Sequence, residues 1–391
     1  MGVLGIIAEY NPFHNGHLYH LENSKKYTNS DVSIAIISGN FCERGNTSVV
    51  DKWVKTKMAL ANGIDLVIEL PIIYSISSAE NFADGAIKIL NSLGVVDYIS
   101  FGAETTNIAI MNDIASVLSN SPSRFVSYLK QELKKGVSFP KAREEAILQY
   151  FNYDSKYENI LSQPNNILGL EYLKSLQKHN SKIKPLLIKR EGTDYNSLAV
   201  SSNFASSTAI RKLLIENHPN LENVVPPSTL KILKREIKDG HTVFDLSKFS
   251  QTIIYLLRKM DLSEIANIPD VTEGLENSLK TASFSCNNIY DLLDQVKSKR
   301  YTYTRLQRIL LYLLLGITKK DIEISTKINP YVRILGFNQK GKNVLSQICG
   351  NNPKLNVITS VRKFMDSTKD KNLKMMLEKD ILATNIYTLR I

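Results

Sequence analysis

Tyr10-Asn11-Pro12-Phe13-His14-Asn15-Gly16-His17 is the stretch on which the reading of this chain turns. Val3–Ala8 precedes it, an apolar run stopped by the turn-forming Asn11-Pro12, and predicts a fully buried strand. A helix is predicted from about Gly16 to Lys26. His14 and His17 stand three apart, so at a helical start they face the same way. Gly16 lets a phosphate approach the backbone, and a helix N-terminus favours an anion. Two imidazoles there can donate to charge growing on a phosphate. Three of the six histidines fall within these seven residues, His14 to His20. That grouping favours a site over scattered loop and core histidines.

Working outward, Val32–Ser38, Leu66–Leu70, Tyr98–Gly102 and Lys184–Ile188 read as further strands. Asp51 is placed to cap a helix running to Asn62, with Trp53 expected to be buried on it. Ala79–Leu93 has helical spacing, and residues 106–180 read as mainly helical. Strands alternating with helices predict an α/β fold with a parallel sheet covered on both faces. In such sheets ligands bind outside the carboxyl ends of the strands, where the histidines lie. Beyond Pro226-Pro227 the pattern turns helical, and no buried strand is expected. The domain division predicted is therefore 1–225 and 226–391.

A second motif is Ala205-Ser206-Ser207-Thr208-Ala209-Ile210-Arg211. Ser206 or Ser207 can cap a helix whose free N–H groups suit a β- or γ-phosphate. Arg211, one turn on, can add a bidentate phosphate contact. Alone this is an ordinary capped helix; beside the histidine motif it reads as half of a nucleotide site.

Composition bounds the rest. No apolar run approaches the roughly 18 residues that span a bilayer. The N-terminus carries Glu9 and reads as a strand rather than a signal peptide. Cys42, Cys286 and Cys349 are too far apart for a zinc or disulfide framework. The cytoplasm is the expected setting. The net charge is +11, and all the excess sits in one half. Residues 1–200 carry 20 basic and 20 acidic side chains; residues 201–391 carry 29 and 18. Residues 299–363 hold 13 Lys/Arg against Asp321 and Glu323 alone, which fits a polyanion partner. There Lys299, Arg300, Arg305 and Arg308 interleave with Tyr301, Tyr303 and Tyr312. Either these cations meet RNA phosphates while the tyrosines stack on bases, or the stretch is a solvated face over a packed helix.

The pair of motifs resembles the HxGH and ISSTxIR signatures of the nucleotidylyltransferase superfamily, distant relatives of the class I aminoacyl-tRNA synthetases. Further segments narrow the resemblance: Gly39-Asn40-Phe41 with Arg44-Gly45, Lys52-Trp53, Lys57-Met58-Ala59-Leu60, Glu69-Leu70-Pro71, Phe101-Gly102-Ala103-Glu104, Pro164-Asn165-Asn166-Ile167-Leu168-Gly169, Lys299 to Arg308, and Tyr331-Val332-Arg333-Ile334-Leu335-Gly336. Over nearly the whole chain the sequence is similar to the bacterial tRNA(Met) cytidine acetate ligases. The resemblance implies a Rossmann-like nucleotidylyltransferase domain followed by a mainly helical, tRNA-binding region. It implies acetyl-adenylate formation from acetate and ATP, then acetylation of N4 of the wobble cytidine of elongator tRNA(Met). It assigns the ATP site to Ile7, Ala8, Glu9, Tyr10, Asn11, Pro12, Phe13, His14, Asn15, Gly16, His17, Leu18, Tyr19 and His20. Gly102, Asn165 (or its neighbour Asn166) and Arg190 complete it. The motif reading adds Ser206 and Ser207, with His14, His17 and Arg211 as catalytic candidates and Arg300, Arg305 and Arg308 as RNA-binding ones. Mg²⁺ is expected to escort the triphosphate, with no ligand assignable. The family usually has Gln before Arg44 and Glu-Pro after Gly45, where this chain has Glu43 and Asn46-Thr47.

Two other readings compete. A small-molecule adenylyltransferase has no use for a strongly basic second half. A non-catalytic RNA-binding protein has no use for two phosphate motifs. Acetate-dependent ATP–pyrophosphate exchange separates all three.

Overall fold

In a computed structural model, residues 2–190, 203–216, 218–298 and 300–389 are described. Seven strands form one sheet, in the spatial order Lys184–Lys189, Tyr98–Ala103, Val3–Ala8, Val32–Ser38, Leu66–Leu70, Val332–Phe337 and Val357–Ile358. The first five run parallel. Within a strand, side chains alternate between two apolar clusters. Val3, Ile7, Ile34 and Ile36 join one, and Leu4, Ile6, Ala35 and Ile37 the other. Both faces are therefore covered, as continuous rather than alternating apolar strands require.

The chain runs outward from Val3–Ala8 through Val32–Ser38 to Leu66–Leu70. It then returns to the other side with Tyr98–Ala103. That reversal opens a crevice at the carboxyl ends of Val3–Ala8 and Tyr98–Ala103, where doubly wound sheets bind ligands. Local chemistry sets the helices around it. Asp51 accepts from the Val54 N–H at 2.8 Å and starts Lys52–Ala61. Ser78 caps Ala79–Leu93, which Gly94 ends in the left-handed region at φ +67°.

Two expectations are corrected. Residues beyond Pro226 do supply strands. Val332–Phe337 pairs antiparallel with Leu66–Leu70, and Val357–Ile358 pairs parallel with Val332 and Arg333. Arg333 and Gly336 hid this strand, because a charged residue in so short an apolar run argues against burial. In the fold Arg333 lies opposite Glu69 and is buried with it. Trp53, expected to be buried, is 42% exposed, whereas its neighbour Lys52 is 1% exposed. The capped helix presents Lys52, not Trp53, to the sheet, and Lys52 Nζ reaches Glu69 Oε1 at 2.8 Å. The rest of the second half is helical, from Leu221–Val224 to Lys371–Thr388. Among the described residues no helix is long and apolar enough to cross a membrane.

Candidate nucleotide site

The chain leaves the first strand through Tyr10, at φ +47°, and Asn11-Pro12. The Asn11 side chain is buried and clamps this turn to the neighbouring loop. Its amide donates to Thr47 O at 3.1 Å, and its Oδ1 accepts from the Val49 N–H at 2.8 Å. His14 then caps the helix Asn15–Thr28. Its backbone N–H donates to His17 Nδ1 at 3.2 Å. That bond fixes the neutral tautomer of His17: Nδ1 accepts, so Nε2 carries the proton. The two imidazoles stack with centroids 3.7 Å apart. Tyr10 meets His17 edge-on at 4.9 Å and Phe13 packs beside it, so the His17 ring stands against an aromatic wall. A Cβ at Gly16 would lie 2.9 Å from His14 Cε1, so glycine is what lets this ring sit over the turn.

The second motif arrives at the same place. Ser206 accepts from the Ala209 N–H at 3.1 Å and caps Ser207–Ile215. Ser207 Oγ lies 3.1 Å from His14 Nε2, which joins motifs 193 residues apart. Arg211 turns behind them. Its guanidinium donates to Asn11 O at 3.4 Å and Thr208 Oγ1 at 3.1 Å, and it lines neither cleft described next.

Two adjoining clefts share the histidine wall. The first, about 810 Å³ with its open mouth, is lined by residues that include Ile7, Ala8, Tyr10, His14, Gly16, His17, Tyr19, His20, Gly102, Asn165 and Arg190. The second shares Tyr10, His14, His17, Asn165 and Arg190, and adds Glu9, Glu43, Arg44, Phe82, Ser206 and Ser207. Arg190 donates to Asn165 Oδ1 at 3.3 Å and crosses over Gly102, where a Cβ would stand 3.2 Å from its Cγ. Asn166 is turned away and accepts from the N–H groups of Glu104 and Thr105. Within the first motif, Asn11, Pro12, Phe13, Asn15 and Leu18 support the turn and line neither cleft. Asn15, for example, donates to Asn203 O and Asn223 O. Sequence reasoning missed Phe101, Leu168, Tyr172 and Lys189 in the first cleft. Only the strand end at Phe101-Gly102 pointed that way.

Burial, and behind it the positive Arg190, push His14 down to about 3 and His20 to about 4, from 6.5. His17 falls well below 6.5 for the same reasons, with its histidine neighbours adding to the effect. All three rings are therefore neutral at physiological pH, which permits the stack. The unfolded chain binds these protons near 6.5; the folded chain does not until far lower pH. Stability from the neutral rings is thus complete above 6.5 and is lost as pH falls below it. The slope is at most about 1.4 kcal/mol per pH unit for His14. Urea titrations of wild type and His14→Gln should show the wild type losing stability more steeply on acidification. Parallel profiles would refute the assignment.

The basic stretch does not form one open face. Arg300 is exposed and pairs with exposed Glu273 at 2.9 Å. Arg305 donates to Asp270 O at 2.8 Å and lies 4.8 Å over the Tyr301 ring. Arg308 is 14% exposed and pairs with Asp270, and its backbone abuts Gly45, where a Cβ would stand 2.5 Å from Arg308 N. Tyr301 and Tyr312 are core residues and are not available for stacking on bases. Lys299 lies outside the described residues. Among the described residues no group of three or more His, Cys, Asp or Glu is arranged to hold a metal ion.

The sequence profile described as HIGH Nucleotidyl Transferase matches residues 1–391. The tRNA(Met) cytidine acetate ligase of Thermoanaerobacter sp. (strain X514) is 48% identical over 100% of this chain and 95% of its own. The chain belongs to the tRNA(Met) cytidine acetate ligase family of HIGH nucleotidyl transferases. The enzyme of the same name from Acetivibrio thermocellus is 44% identical, again over 100% of this chain and 95% of that one. Among solved structures, Thermotoga maritima TmcAL bound with alpha-thio ATP superposes with a TM-score of 0.92 at 36% identity. Its apo form gives 0.94 at 35%. Each covers 100% of this chain and 95% of the other. Family membership accounts for both motifs and for the Rossmann-like sheet that brings them together.

Proposed function

We propose that this chain activates acetate with ATP as acetyl-adenylate and transfers the acetyl group to N4 of the wobble cytidine of elongator tRNA(Met). The observation that carries the proposal is the approach of His14 to Ser207 at the switch point of the sheet. It unites the two phosphate motifs in one crevice. The names of the full-length relatives and the ATP-analogue complex of the structural neighbour supply the substrates.

In the first half-reaction an acetate oxygen attacks the α-phosphorus and pyrophosphate leaves. This step needs positioning and charge neutralisation more than covalent help. The cleft beside Gly102, Asn165 and Arg190 takes the nucleoside end. His14, His17 and the N–H groups behind Ser206 and Ser207 face the phosphates, while Arg211 braces the two motifs from behind. The chain offers no acidic cage for Mg²⁺ among the described residues, so an escorting ion would be held by the triphosphate. In the second half-reaction the cytidine amine attacks the acetyl carbonyl and AMP leaves. An anticodon base is unpaired and can be splayed out to reach the site.

Residues 1–225 carry the ATP chemistry, and residues 226–391 form the basic, tRNA-facing part, which also lends two strands to the sheet. Arg300 is the arginine best placed for a phosphate, because its partner is a surface carboxylate worth little. Arg300→Ala should weaken tRNA binding and lower its salt slope by about one. Arg308→Ala should instead lower the melting temperature. An unchanged salt slope in Arg300→Ala would move the RNA elsewhere. The cytoplasm, where tRNA is modified, is the setting this function requires. Acetate-dependent ATP–pyrophosphate exchange without tRNA, followed by acetylation of elongator tRNA(Met), tests the whole reading. Exchange that ignores acetate would sink it.

A further inference from the structure

We propose that Glu9 is the proton acceptor of the transfer half-reaction, taking the proton that the cytidine N4 amine sheds as it attacks the acetyl carbonyl. The assignment rests on the function just proposed and deepens it. Its ground is geometric. Glu9 follows directly on the first strand, within the segment whose resemblance points to ATP, yet it does not line the cleft that holds Gly102 and His20. It lines the second one, across the histidine wall. If the nucleoside fills the first cleft and its phosphates lie against His14, His17 and Ser207, the acyl carbon lies toward the second. The incoming base must enter there.

The transfer chemistry calls for a base and not for an acid. The N4 lone pair is delocalised into the pyrimidine ring, and nitrogen gains positive charge as its bond to the carbonyl carbon forms. It must lose a proton before the tetrahedral adduct collapses. The carbonyl–oxygen bond to AMP then breaks, and AMP leaves as a stable anion that needs no proton. The proton ends on Glu9 and passes to water.

The groups facing Glu9 support this choice. The Glu43 backbone N–H donates to Glu9 Oε1 at 2.7 Å, which holds the carboxylate in place, and among the described residues no hydrogen bond takes Oε2. Because a backbone group makes this bond, the side chain at position 43 does not govern it. Arg44 and Arg190 line the same cleft, and Arg308 lies behind Glu43, so the neighbourhood balances the carboxylate charge. His14 and His17 are poor competitors as bases, since burial and Arg190 hold them far below neutral. Glu43 is pushed up to about 7, by burial first and then by the Glu9 charge, despite Arg308 and Arg44.

The test uses the full chain, elongator tRNA(Met) and labelled acetate. Exchange is measured without tRNA. Transfer is measured in a single turnover from enzyme-bound acetyl-adenylate, from mildly acidic to mildly alkaline pH. In Glu9→Gln, which keeps the acceptor for the Glu43 N–H, transfer should fall by about 10²–10⁴-fold, the range of a lost general base. Exchange should fall far less. Glu9→Asp should recover part of the rate. Glu43→Gln should lose less transfer than Glu9→Gln. Wild-type transfer in Glu9→Gln overturns the assignment. An equal fall in exchange and transfer does so too, placing Glu9 in the ATP site. Transfer lost in Glu43→Gln but kept in Glu9→Gln makes Glu43 the base. If the wild type exchanges yet never acetylates the tRNA, the function reading fails first and takes this assignment with it.

Discussion

His17→Ala is expected to lower acetate-dependent ATP–pyrophosphate exchange by about 10²–10³-fold, the effect of removing one pre-positioned donor from a developing oxyanion. The ring is held from three sides. The His14 backbone N–H occupies Nδ1, the His14 imidazole stacks on one face, and Tyr10 meets it edge-on. Only Nε2–H is left to act, and it is a neutral donor because burial keeps the ring from charging. Alanine removes that donor without leaving an unpaired charge, so the fold should survive. His14→Ala should cost a similar factor, because its Nε2 ties the first motif to Ser207. The double variant should cost little more than either single one, since the stacked rings work as a unit. ATP titration should change less than the exchange rate, because a donor used mainly in the transition state alters turnover more than ground-state binding. Wild-type exchange in the double variant would remove both histidines from the reaction.

The parts that proved legible were those with local causes. Val3–Ala8 reads as a buried strand because six apolar or small residues end at Asn11-Pro12, and it is one. The cap at Ser206 follows from its side chain and needs no tertiary information. The fold class came from strand–helix alternation, the superfamily from two short motifs, and the family from further segments spread over the chain. What stayed hidden depended on partners distant in sequence. The positions of Glu9 and Glu43 in the second cleft come from a loop folded back on the first strand. Arg305 and Arg308 looked like free cations because Asp270 lies 38 residues before Arg308. Trp53 looked like core because its size outweighed the pairing that buries Lys52. The sheet's sixth strand was hidden because the charge of Arg333 is met by residues far away in sequence, Glu69 and Asp380.

That last arrangement carries the largest expected effect on stability. Lys52, Glu69, Arg333 and Asp380 form a buried set of two cations and two anions, each side chain at most 8% exposed. Asp380 also accepts from the Ile72 N–H at 2.7 Å and from the Tyr331 hydroxyl. The set ties the helix Lys371–Thr388 and the strand Val332–Phe337 to the parallel strands of the sheet. It lies beneath Gly39 as well, where a Cβ would stand 2.8 Å from Glu69 Oε1. Arg333→Met keeps much of the volume and removes one charge. It leaves two buried carboxylates facing Lys52 alone, and breaking such a set from one side costs about 3–5 kcal/mol. Burial and the Glu69 charge already push Asp380 up to about 6, against the pull of Arg333 and Lys52. Without Arg333 it rises further. An acid with a raised folded value binds more protons folded than unfolded, so its stability improves as pH falls through that value. The deficit of Arg333→Met relative to wild type should therefore be largest near neutral pH and shrink under mild acid. That trend runs opposite to the histidine contribution, which both proteins share and the difference removes. Urea titrations of the two proteins across this range decide the matter. A deficit below about 1 kcal/mol would class the set with ordinary surface pairs, and a deficit unchanged by acid would show that Asp380 is not the group left unpaired.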